Sequence, residues 1–181
     1  MKIDVKIDDI PFGTSIQDIK VPGILKKRVP TGLKYFDAII GGEGFTPSMV
    51  SLFTGTPGAG KTTMMLTLAN SLQGHGAQVV FNTAEESLHQ VKMTCDRLKL
   101  RHPFMVGGED NIQTLLKGCD KIRNNEKYKD RPFFLSSTPC NACPMVTSSP
   151  AVLLQLLLNV RYSYLLPMQK NMLSTYSSSA R

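Results

Sequence analysis

Gly55-Thr56-Pro57-Gly58-Ala59-Gly60-Lys61-Thr62 has the residue types and spacing of a loop that wraps phosphate oxygens. Glycines at 55, 58 and 60 allow backbone torsions closed to other residues. Successive N–H groups can then point inward at a helix N-terminus. Lys61 is expected to reach the β- and γ-phosphates of a nucleotide, and the Thr62 hydroxyl to take one coordination position on Mg2+. The candidate nucleotide contacts are therefore Gly55, Thr56, Pro57, Gly58, Ala59, Gly60, Lys61, Thr62 and Thr63, with Lys61 also in the catalytic set and Thr62 as metal ligand.

Such a loop works only between a strand and a helix. Met49-Val50-Ser51-Leu52-Phe53-Thr54 is a short apolar run of buried-strand type, and Met65, Leu68, Ala69 and Leu72 follow helical spacing. Upstream, Lys34 to Ile40 reads as a helix that stops at Gly41-Gly42. Downstream, Gln78 to Asn82 reads as a second strand, so a right-handed crossover in a parallel sheet is expected.

Two carboxylates, Glu85 and Glu86, follow that second strand at the edge where α/β sheets bind ligands. Glu85 there could orient or deprotonate an attacking water, whereas acids in a helix first turn also favour the macrodipole without catalysing anything. Both readings stand on the residues alone. A helix from Ser87 to about Leu98 would place Leu88, Val91, Cys95 and Leu98 on one core face, leaving His89 and Gln90 at the surface. Phe104-Met105-Val106 is a candidate strand, Asn111 to Arg123 a further helix, and Phe133-Phe134-Leu135 the start of another strand.

Taken in order, Thr31-Gly32-Leu33, Phe36-Asp37, Gly41-Gly42, the glycine loop, Ala84-Glu85-Glu86-Ser87-Leu88, Val91-Lys92 and Arg97-Leu98 resemble the ATPase core of the RecA superfamily. The nearest likeness is to RadA/Sms, with KaiC-like and DnaB-type ATPases next, over roughly residues 28 to 135. The resemblance implies an α/β, RecA-like P-loop NTPase fold whose parallel sheet is flanked by helices. It further implies ATP with Mg2+, action on DNA in repair, recombination or replication, and homo-oligomers. It matches Glu85 to the family's water-activating glutamate and Glu86 to its neighbour. The competing reading is a KaiC-like module that switches partners with nucleotide state and does not act on DNA; a small-molecule P-loop kinase is a distant third.

The chain also departs from that pattern. No cysteine precedes Cys95 in these 181 residues, so the likeness does not take in the four-cysteine zinc module, the C-terminal protease-like domain or the lysine-arginine motif of RadA proteins. After Phe133-Phe134-Leu135 the family's strand ends in the Walker B aspartate, but here Ser136-Ser137-Thr138-Pro139-Cys140 follows. The fold is thus expected to be incomplete in its C-terminal half, with nucleotide binding weakened or absent and hydrolysis slight.

Composition sharpens the point. The net charge is +7, yet all 14 carboxylates lie at or before Asp130, so much of the excess comes from a tail without acids rather than from a basic groove. If Ser136 and Ser137 use TCN codons, the neighbouring reading frame permits two apolar residues, Asp, Ser, an apolar residue and Gln after Leu135. That is the missing Walker B pattern in register, and it motivates a frameshift near Leu135. Three regions follow: an N-terminal arm over 1–30, the ATPase core over 31–135, and a tail over 136–181 out of frame. Cys140 and Cys143 supply only two of four zinc ligands, so no zinc is expected. The run Ala151 to Val160 is expected to form a helix by propensity; it is about half a membrane-spanning length, and with no apolar stretch after Met1 the protein is expected in the cytoplasm.

Overall fold

The computed structural model describes residues 10–21, 23–47, 49–138 and 153–157. After two short 3-10 turns at Ile16–Asp18 and Gly23–Lys26, the elements are α1 (Lys34–Ile39), β1 (Val50–Phe53), α2 (Lys61–Gly74), β2 (Gln78–Asn82), α3 (Leu88–Arg97), β3 (Met105–Gly107), α4 (Ile112–Arg123), β4 (Phe133–Ser137) and β5 (Leu153–Leu157). The fold is α/β and RecA-like, with helices on both faces of the sheet. Among the described residues no helix is long and apolar enough to cross a membrane.

The sheet order is β1-β5-β4-β2-β3. Strands β4, β2 and β3 pair in parallel, with Val80 opposite both Leu135 and Met105. Every residue of β2 and β4 is buried, as a strand covered on both faces requires. Alternation then divides their side chains. Val79, Phe81 and Phe134 face α1, α2 and α3 through Phe36, Met65, Leu68, Leu72 and Val91. Val80, Phe133 and Leu135 face α4 through Leu115 and Cys119.

The lead-in to β1 is pinned by one polar knot and one aromatic chain. Thr31, fully buried, donates its backbone N–H and its hydroxyl to Asp37 Oδ1 at 3.0 and 2.7 Å, tying the chain to the first turn of α1. Gly32 between them has φ +77°, and a Cβ there would run into the His75 ring at the end of α2. Phe36 lies 5.7 Å from both Phe45 and Phe53, and Phe45 lies 5.4 Å from Phe134, so α1, β1 and β4 share one aromatic cluster.

β5 corrects the helix expected over Ala151 to Val160. Within that run the residues Leu153–Leu157 form a strand, antiparallel to β1 on one side and to β4 on the other. β1 and β4 run in the same direction one strand apart, each with an unpaired edge facing that gap. An extended segment satisfies both rows of backbone donors and acceptors, which a helix cannot do, and that outweighs the helical preference of leucine. The sheet is therefore mixed rather than wholly parallel. Cys140 and Cys143 lie outside the described residues.

Candidate functional site

β1 ends at Phe53, and the chain turns through Gly55–Gly60 into α2. Gly58 and Gly60 have φ +79° and +81°, torsions that a side chain would oppose, and Gly60 caps α2 in the left-handed region. The Ala59 N–H closes the loop on the Thr56 carbonyl at 3.2 Å, and the first helical bond runs from Met64 N to Gly60 O at 2.9 Å. Lys61, Thr62 and Thr63 sit in the first turn, where N–H groups have no acceptor behind them, at the positive end of a 14-residue helix. This is an anion-binding arrangement.

Met65, Leu66, Leu68, Ala69 and Leu72 bury the inner face of α2 and fix where its N-terminus points. The Lys61 ammonium folds over the loop and donates to the carbonyls of Gly55 and Thr56, both at 2.8 Å. Those two carbonyls hold the cation at the loop.

Across from the loop stands the turn after β2. Thr83 opens it: its hydroxyl accepts from Glu86 N at 3.0 Å and donates to Glu86 O at 3.1 Å. Ser87 then caps α3, accepting from Gln90 N, with the Gln90 amide oxygen returning to Ser87 N. Thr83 and Ser87 together fix the direction of the two carboxylates. Glu86 is half-buried and its Oε1 accepts from the Thr62 hydroxyl at 3.2 Å. Glu85 is exposed on the same turn. Of the two acids in the sequence, Glu86 is the one that meets the loop.

The base of this turn is a polar clasp that sequence reasoning missed. Asn82, fully buried at the end of β2, donates to Ser137 Oγ at 3.2 Å and to Glu109 O at 2.8 Å, and accepts from Glu109 N at 2.9 Å. Thr138 accepts from Ala84 N at 2.9 Å and donates its own N–H to Asn82 O at 3.0 Å. Thr138 stands directly after β4, three residues past Leu135. One signal was legible: Thr83-Ala-Glu-Glu86 has the spacing of a capping box.

The chemistry the site can perform follows. The loop offers backbone donors and one ammonium for phosphates, and Thr62 with Glu86 offers two hard oxygen donors 3.2 Å apart, the type Mg2+ takes. The residues present fit that ion. Thr56, Pro57 and Thr63 lie on the loop and first turn with the others, so every residue of the expected nucleotide set is gathered at one end of α2.

Residues 29–102 match the family model described as "ATPase: KaiC". The chain is 29% identical to a DNA repair protein RadA of Mycolicibacterium smegmatis over 118 residues, 65% of this chain and 25% of that one. It is 33% identical to the RadA of Bacillus subtilis over 101 residues (52% and 22%) and 36% identical to that of Mycobacterium tuberculosis H37Rv over 97 residues (52% and 20%). The chain thus spans a quarter or less of the length of these relatives.

Proposed function

We propose, from the premise that residues 29–102 are a KaiC-like ATPase segment of the RecA superfamily, that this chain binds ATP with Mg2+ through the Gly55–Thr62 loop. Its ancestry is a DNA-dependent ATPase of the RadA kind, acting on DNA in the cytoplasm as a homo-oligomer during repair, recombination or replication. The observation that carries the reading is the meeting of Thr62 and Glu86 across the loop mouth.

In this reading Lys61 releases the Gly55 and Thr56 carbonyls and moves its ammonium to the β- and γ-phosphate oxygens. Thr62 and Glu86 would hold Mg2+, which would neutralise charge on those oxygens. Glu85, exposed on the same turn, orients a water and takes its proton. Residues 1–30 serve as an arm and 31–135 as the ATPase core.

Residues 136–181 are read as out of frame with the core, leaving Thr138 in the place of a carboxylate. Binding is therefore weak and hydrolysis slight. Sequencing the encoding DNA tests the frame: an uninterrupted frame with no aspartate-serine pattern beside it removes that part.

Titration of a fluorescent ATP analogue tests the site, with Lys61→Ala as the control. Saturable binding in Mg2+, lost in the variant, supports the reading; wild-type binding that Lys61→Ala leaves intact sinks it. The likeness to a KaiC ATPase model leaves one second reading, a nucleotide-switched module without DNA action. Stimulation of hydrolysis by DNA in the frame-corrected protein separates the two, since only the repair ATPase responds.

A further inference from the structure

We propose that Thr138 is a positioning residue for the acidic turn, acting on bound Mg2+-nucleotide through Glu86; the inference rests on the nucleotide-binding reading above. The Thr138 side chain is 4% exposed and touches no part of the glycine loop by hydrogen bond. Its hydroxyl accepts from Ala84 N at 2.9 Å, at the start of the turn, while Thr83 holds the end of the same turn through Glu86 N and O. These two hydroxyls hold both ends of the backbone from Ala84 to Glu86. So held, the turn brings the Glu86 carboxylate to Thr62 Oγ1.

The two clamps differ in origin. Thr83 is local to the turn, three residues from Glu86, and would form its bonds in any isolated turn of this sequence. Thr138 comes from the end of β4, 54 residues along the chain, and its own N–H is fixed on Asn82 O. Asn82 in turn binds Ser137 and both backbone groups of Glu109. Thr138 therefore sets the turn in the frame of the sheet, and hence in the frame of α2. Without that acceptor the part-buried Ala84 N loses its tie to β4, and the turn, exposed at Ala84 and Glu85, is free to move toward water, taking Glu86 from Thr62.

The test uses the 181-residue chain and a fluorescent ATP analogue, titrated in Mg2+ and in EDTA. Thr138→Val removes the acceptor at equal volume, and Thr138→Ser restores it. The expected result is that valine weakens binding in Mg2+ by about fivefold to tenfold, the loss of one part-buried hydrogen bond, and leaves binding in EDTA unchanged. Serine returns it to within about twofold, and valine adds nothing once Glu86→Gln is present. Thr138→Cys, a weak acceptor of similar size, gives the same comparison if the valine variant does not fold. Equal weakening in Mg2+ and EDTA, or additivity with Glu86→Gln, overturns the inference alone. Failure of the wild-type chain to bind under either condition overturns it together with the nucleotide-binding reading.

Discussion

The Thr62 hydroxyl donates to the Glu86 carboxylate at 3.2 Å, joining the first turn of α2 to the turn after β2. Glu85, its neighbour, is exposed. In the proposed function the two acids divide between holding and reacting. Glu86→Gln keeps the shape but removes the charge, so affinity for Mg2+-nucleotide should fall by about threefold to tenfold. Glu85→Gln should leave affinity within about twofold and lower any residual turnover by about a hundredfold, the size of a general-base contribution. Binding titration and steady-state phosphate release check the pair. The opposite assignment, Glu85 weakening binding and Glu86 only turnover, would exchange their roles.

A second expectation concerns position 138. Thr138→Asp keeps an acceptor for Ala84 N and adds a second carboxylate beside the Glu86 turn. Burying that charge without a cation is costly, so the variant should melt lower than wild type in EDTA. Mg2+ with nucleotide should reverse the deficit and tighten binding beyond wild type. Thermal melts in both conditions decide it, and a deficit that Mg2+ and nucleotide leave untouched rejects the idea.

Gly32 offers a test of the lead-in to β1. At φ +77°, with the His75 ring beside it and His75 Nδ1 2.8 Å from Ser71 O, alanine meets both backbone strain and a side chain. Gly32→Ala should destabilise the fold by about 1–3 kcal/mol. Adding His75→Ala removes the contact but not the strain, so it should recover only part of the loss in urea unfolding. Full recovery would show that torsion contributes nothing there.

Cys119 supplies a probe of the α4 side. Burial pushes its thiol up to about 11, with Asp120 adding to the shift, so at pH 8 the reactive thiolate is scarce as well as covered. Alkylation followed by peptide mapping should leave Cys119 unmodified in the native chain and modify it fully in denaturant. Thiolate, and with it reactivity, should increase with pH up to that raised value. Rapid native labelling at pH 8 would mean that α4 opens from β4.

Much of the site was legible in the sequence because it is local. The glycine loop, its strand and its helix are contiguous, and each is set by its own residues. Strand β2 and helix α2 fall where the apolar spacing put them. Helix α4 begins one residue later than expected, since Asn111 caps it by accepting from Gln113 N and Thr114 N. Helix α3 likewise begins after its cap, Ser87.

What was not legible depends on residues far apart. The clasp of Asn82, Glu109, Ser137 and Thr138 joins three strands, and no pattern of spacing announces a hydrogen bond across 54 residues. The strand at Leu153–Leu157 is another case, because the vacancy it fills exists only once β1 and β4 have come to lie one strand apart.

By itself, then, the sequence determined the phosphate loop, the order of strand and helix around it and the presence of two acids at the sheet edge. These follow from backbone torsion and side-chain periodicity, which act over a few residues. The tertiary structure alone decided that Glu86 meets Thr62, that Ala84 N in the turn donates to Thr138, and that an antiparallel strand completes the sheet. Those outcomes follow from satisfying buried polar groups, and which groups are buried together is fixed only by the packed fold.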